Sequence, residues 1–284
     1  MNKDWLIGAI AVIIVAAIIG IQVFLSSLTP NYDWTESYSI NSEQPYGLSA
    51  MYDLLSEKEG FTRSNRPIDE LLSDSLTGTY LLITNDMYLW EESDSLLQWV
   101  AQGNQAFFSL NEVPWFLDSI VGYNLDSALQ YYYSDSAEIS LTKSINPDST
   151  MYFFRHRVVN DTTPRNWKFI TDSTYYWEIE EQYNIQSLGR YYYGHNFFKI
   201  PHGEGVIYVH TEPILFTNYY LFTSRGFEYT NYVLSQLPEG NIFWDNYHNN
   251  YHYEDEEDFH SNEAKDSVLK VFFGNRAFKV MWVV

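Results

Sequence analysis

Polar side chains able to move protons or bind a ligand stand at the ends of four apolar runs in this 284-residue chain. Asn85 and Asp86 close the run from Thr79 to Thr84, and Asn111 and Glu112 follow Ala106 to Leu110. His210 and Glu212 end the run Val206 to Val209, and Asp245 and Asn246 follow Ile242 to Trp244. In an open parallel sheet, ligands lie beyond the carboxyl ends of the strands, so these residues would converge on one edge as a binding crevice. The same residue types cap helices and shape turns, which is their commoner use. A second group, His248, His252 and His260, surrounds the unbroken acidic run Glu254 to Asp258 and offers imidazole and carboxylate ligands to a divalent cation. Its spacing matches no metal loop, so a solvated acidic segment is the reading adopted, with no metal and no cofactor.

Composition removes several chemistries. There is no cysteine, which excludes disulfides, zinc-thiolate sites and a cysteine nucleophile. Sixteen Lys and Arg stand against 37 Asp and Glu, and the net charge of −21 repels nucleic acid and anionic lipid headgroups. With 45% hydrophobic and 18% aromatic residues the chain has ample material for a core.

The elements that must position these groups read as α/β. Thr79 to Thr84 is a buried strand. Acids and Ser93 then precede Leu96, Leu97, Trp99 and Val100, with Gly103 where a left-handed cap belongs, so a helix follows. Ala106 to Leu110 is a second strand, and the three elements fit a right-handed parallel βαβ unit. Ahead of them, Leu48, Met51, Leu54 and Leu55 recur at helical spacing, Phe61 to Asn65 suits a short strand, and Arg66-Pro67 opens a brief helix. Gly203-Glu204-Gly205 is a turn before the strand Val206 to Val209. A helix over Phe227 to Leu237 and the strand Ile242 to Trp244 then close the sheet.

Between about residues 126 and 202 helical periodicity disappears. Tyr131-Tyr132-Tyr133, Tyr175-Tyr176-Trp177 and Tyr191-Tyr192-Tyr193 recur between turn residues, as expected of an antiparallel, β-rich insertion. Exposed aromatics of this kind serve sugar binding in the sharper reading and sheet packing in the plainer one. At the amino end, Trp5 to Leu25 carries no charge and is long enough to cross a ~30 Å hydrocarbon core as a helix. The expected organisation is an anchor over 1–28, a linker over 29–44, an α/β domain over 45–260, and an apolar segment over 261–284 resembling the start of a truncated second span. Lys3 precedes the anchor and no Lys or Arg follows until Lys58, which places the domain outside the cytoplasm.

The order of these elements resembles a bacterial family, domain of unknown function 4350. The likeness rests on Pro45-Tyr46-Gly47, on Leu82 to Asn85, on Leu97 to Asn104, on Gly203 to Pro213 with Phe216-Thr217-Asn218, and on Trp244 to His248. It implies a membrane-anchored relative of class I glutamine amidotransferase and flavodoxin-like folds with a mostly parallel sheet. It also implies protein partners in a membrane complex, with a MoxR-type ATPase encoded nearby. In the amidotransferases the nucleophile follows the equivalent of Phe107 to Leu110 and a His-x-Glu pair completes the triad. The resemblance thus makes Ser109 a candidate nucleophile, His210 its base and Glu212 the acid that orients the base. Without cysteine, and without the glycines that permit a strained elbow, the implied site is degenerate. The expected function is therefore non-catalytic binding or scaffolding on a membrane. The alternatives are a serine-dependent amidase using Ser109, His210 and Glu212, and an accessory subunit of a transporter.

Overall fold

The structure, a computed structural model, describes residues 14, 17–18, 20–21, 32–72, 76–85, 87, 92–122, 124–142, 150–156, 164–171, 173–174, 177–178 and 184–250. Residues 1–33 and 34–284 form separate units. In the first, Ile14, Ala17, Ile18, Gly20 and Ile21 are helical. Among the described residues no helix is long and apolar enough to cross a membrane. Most of the expected Trp5 to Leu25 span lies outside the described residues, as do Asp86, His252, His260, the acidic run and 261–284.

In the second unit the chain runs α1 (Ser49–Ser56), β1 (Phe61–Ser64), α2 (Ile68–Leu72), β2 (Thr79–Ile83), α3 (Ser93–Ala101) and β3 (Gln105–Ser109). Two short helices, α4 (Asp118–Val121) and α5 (Leu125–Ala128), lead to β4 (Leu129–Ser134), β5 (Ser136–Leu141), β6 (Thr150–Arg155) and β7 (Arg165–Thr171). After the small pair β8 (Ser173–Thr174) and β9 (Trp177–Glu178) come β10 (Gln186–Tyr191), β11 (Gly194–His202) and β12 (Gly205–His210). The last elements are α6 (Asn218–Leu221), α7 (Ser224–Ser235), β13 (Ile242–Asp245) and α8 (Tyr247–Asn250).

All strands except β8 and β9 join one sheet, ordered β1-β13-β2-β3-β12-β11-β10-β5-β6, with β7 pairing β11 and β4 pairing β7. The first five strands are mutually parallel. Every ladder beyond them in this sheet is antiparallel. The expected mostly parallel, flavodoxin-like sheet is thus corrected to a mixed α/β sheet that is largely antiparallel. Connection length explains it: Tyr192-Tyr193 and Gly203-Glu204 are the whole links from β10 to β11 and from β11 to β12, and a parallel crossover needs a dozen residues or more. The second link is also fixed by packing, since a Cβ on Gly205 would lie 2.1 Å from the carbonyl oxygens of Val100 and Asn104.

Side-chain alternation divides the core into two layers. Leu81, Ile83, Phe107 and Trp244 pack on Met51 and Leu55 of α1 and Tyr229 and Val233 of α7. On the opposite face Tyr80, Leu82, Phe108 and Phe243 meet Ile68 and Leu71 of α2 and Leu96, Trp99 and Val100 of α3. β13 lies between β1 and β2, buried along its whole length. β1 takes the edge because Thr62 and Arg63 tolerate solvent. The expected linker also changes role: Tyr38 and Ile40 are core residues, and the Leu48 N–H donates to Ser39 O at 2.9 Å. The second unit starts at Trp34.

Candidate functional site

Register brings two of the sequence candidates together. β3 and β12 are parallel neighbours with Ser109 opposite His210, and both side chains fall on the face covered by α7. Ser109 Oγ lies 3.0 Å from His210 Nδ1. The Glu212 backbone N–H donates to the same nitrogen at 3.2 Å, so Nδ1 carries the lone pair. Nε2 therefore holds the proton and donates to Tyr229 Oη at 2.7 Å, where Asn196 Nδ2 also donates at 3.0 Å. Tyr229 occupies the place that an orienting carboxylate would take in a triad.

Glu212 serves a different partner. Its carboxylate accepts from the Lys168 backbone N–H and lies 3.4 Å from Arg165 Nε, while Arg165 also pairs with Glu36. Burial pushes the Glu212 carboxyl up to about 7 against the pull of Arg165 and the Lys168 N–H. Burial likewise opposes the Arg165 charge, but Glu212, Tyr38 and Glu36 hold its pKa above the usual guanidinium value.

The pair is also closed to solvent. Ser109, His210 and Glu212 are all fully buried. The 3-10 turn Pro213–Phe216 folds over the strand ends with all four residues buried, and Phe216 packs edge-on to the His210 ring at 4.8 Å. Desolvation lowers the His210 pKa to about 3, so the imidazole stays neutral and cannot hold a proton taken from Ser109 near neutrality. The expectation that Glu212 orients His210 is corrected, and the elbow geometry is absent because Ser109 ends a regular strand inside the core.

The remaining crevice candidates separate into small hydrogen-bonded groups. Asn111 Nδ2 donates to Asn85 Oδ1 at 2.6 Å, and Glu112 is exposed. Asn246 Nδ2 donates to Asn65 Oδ1 at 2.7 Å. Asp245 is buried, accepts from the Tyr80 hydroxyl, and meets His248 Nδ1 at 2.6 Å. His248 Nε2 lies 3.3 Å from Glu92, whose carboxylate accepts the Ile68 N–H at 2.9 Å. Burial opposes charge on His248, yet Asp245 and Glu92 outweigh it and raise the imidazole pKa. Among the described residues no three His, Cys, Asp or Glu side chains are placed to hold a metal ion.

A family model described as domain of unknown function (DUF4350) matches residues 40–234. The chain belongs to this family. The match ends before β13, so Asp245 and His248 lie beyond it. No curated protein matches the sequence. Among solved structures the DUF4350 chain is similar to the exo-β-1,4-mannosidase Op5Man5 from Opitutaceae bacterium strain TAV5, at 15% identity and a TM-score of 0.40 over 74% of this chain and 35% of that one. A β-galactosidase from Bacillus circulans sp. alkalophilus matches at 12% identity and a TM-score of 0.32, over 56% of this chain and 23% of that one. The chain thus spans about a third of the first of these proteins and a quarter of the second.

Sequence reasoning passed over Arg165, Tyr229 and Glu92. Tyr229 was legible only as part of an apolar helix face, since a tyrosine that caps a histidine has the same spacing as one that fills a core. The outer face of β10, β5 and β6 holds a further feature, a cavity of about 540 Å³ lined by Tyr132, Glu138, Phe153, Arg190, Tyr192 and Tyr193 among others.

Proposed function

We propose that this DUF4350 domain is a non-catalytic binding module, anchored to a bacterial membrane by Trp5 to Leu25 and working within a membrane complex. The observation that carries this reading is the diversion of Glu212 to Arg165, with His210 held neutral between Ser109 and Tyr229 in a sealed layer. A general base needs a pKa near the working pH and a substrate within reach; His210 touches Ser109, but its pKa is lowered to about 3 and both side chains are sealed from solvent. The formed cavity on the insertion favours ligand binding over service as an accessory transporter subunit. The uncharged amino-terminal run and the scarcity of Lys and Arg after it support an extracytoplasmic placement. Protein partners, with a MoxR-type ATPase among those the family implies, belong to the same proposal.

The serine amidase is the second reading, favoured only by the 3.0 Å Ser109–His210 contact. A fluorophosphonate probe, which reports an activated serine, separates the two. The full chain is expected to give no adduct at Ser109 by peptide mass mapping. Stoichiometric labelling of Ser109 that disappears in His210→Gln would establish a hydrolase instead.

A further inference from the structure

Among the described residues, helices cover only one face of β5 and β6: Ala137, Ile139, Leu141, Tyr152 and Phe154 join the core layer of α7, while Glu138, Met151 and Phe153 are exposed on the other side. The 540 Å³ cavity opens on that bare side, within the ~300–1,000 Å³ range of small-ligand sites. Register builds its floor. Glu138 stands opposite Phe153, and Ser140 stands between Met151 and Arg190. A carboxylate, a hydroxyl and a guanidinium therefore share one surface with a ring and a thioether. The wall is aromatic, with Tyr193 edge-on to Tyr192 at 4.9 Å and to Tyr132 at 6.4 Å. Tyr192 is 84% exposed, Tyr193 59% and Phe153 55%.

These features select a ligand class. β5 is paired on both sides, by β10 and β6, so recognition on the floor falls to side chains instead of backbone groups. An apolar ligand would desolvate Glu138 and Arg190 without giving either a hydrogen bond. An anion would meet Glu138 and a chain of net charge −21, and a cation would meet Arg190. What fits is neutral, rich in hydroxyls and apolar on its flat faces. Such hydroxyls donate to Glu138 and accept from Arg190, while C–H faces lie on the rings of Tyr193 and Phe153. We propose that this tyrosine-walled cleft binds a neutral oligosaccharide. The assignment rests on the reading of the domain as a binding module and gives that module its ligand.

The test is calorimetric titration of the full chain in phosphatidylcholine nanodiscs with neutral gluco-, galacto- and manno-configured di- to tetrasaccharides, plus a sialylated set. Alkyl-glycoside detergents are left out because their headgroups are themselves the proposed ligand class. At least one neutral series is expected to saturate, with Tyr193→Ala and Glu138→Gln each weakening it about tenfold or more and Ser109→Ala leaving it unchanged. Circular dichroism of each variant confirms that it is folded. Saturation by none of the neutral series, preference for the sialylated set, or indifference to both cleft substitutions would overturn the assignment. Product analysis keeps the two proposals apart. Release of new reducing ends by the wild-type chain would sink the non-catalytic reading and leave the ligand assignment intact, whereas absence of both binding and cleavage would sink the ligand assignment alone.

Discussion

The parallel and antiparallel halves of the sheet treat polar groups in opposite ways. In the parallel half both faces are covered by helices, and Ser109, His210, Glu212 and Asp245 at its strand ends are each buried and hydrogen-bonded to a protein partner. In the antiparallel half, one face of β5 and β6 is left bare by the described residues, and Glu138, Tyr192 and Tyr193 line an open cavity. Residues that look catalytic by type are therefore consumed by structure where helices cover the sheet, and residues that look structural by type become available where nothing does. Covering, more than residue identity, decides which polar groups can reach a ligand.

Substitutions can break this contrast, and the largest effect should come from the ion pairs of Arg165 with Glu212 and Glu36. Arg165→Leu leaves Glu212 and Glu36 without their cation, and loss of one member of a buried ion pair costs about 3–5 kcal/mol, read as a shift in the denaturant midpoint. Acid should follow. The folded His210 pKa of about 3 lies below its ordinary value of 6.5, so the stability contributed by keeping it neutral is complete above about pH 6.5 and is lost as pH falls toward 3. The lost contribution should reach a few kcal/mol, and His210→Gln should flatten that limb of the stability profile. Tyr229→Phe strands the His210 Nε2 proton and one Asn196 donor at a cost of about 1–3 kcal/mol. Ser109→Ala removes a single neutral hydrogen bond, worth about 0.5–1.5 kcal/mol, because the Glu212 N–H still satisfies Nδ1. At the other end, Tyr192→Ala and Tyr193→Ala should move stability by no more than about 0.5 kcal/mol, since both rings lie on the exposed face.

Much of the parallel half could be read from sequence because its signals are local. Thr79–Ile83, the helix ending before Gly103 (φ 103°) and Gln105–Ser109 each announce themselves within a few residues. Strand order is not local, and nothing near Ile242–Trp244 announces that β13 lies between β1 and β2. The proportion of parallel to antiparallel ladders was misjudged for the same reason, as the insertion strands extend the main sheet instead of forming one of their own. At the site, residue type announced Ser109, His210 and Glu212 but not their partners. The direction of the Glu212 carboxylate depends on Arg165, 47 residues earlier, and on Glu36, neither of which carries a motif. Repeated tyrosines were visible, but whether they packed inward or outward depended on which face α7 would cover.

The central claim is that His210 is a structural, solvent-free histidine and not a base in waiting. Nitrogen-15 NMR of ring-labelled histidine in the full chain, with His210→Gln for assignment, tests it most directly. The account predicts an Nε2-protonated neutral ring at His210 that shows no titration from pH 8 down to about 4. A His210 ring that titrates near pH 6 to 7 would contradict it, and would return Ser109 and His210 to the list of reactive groups.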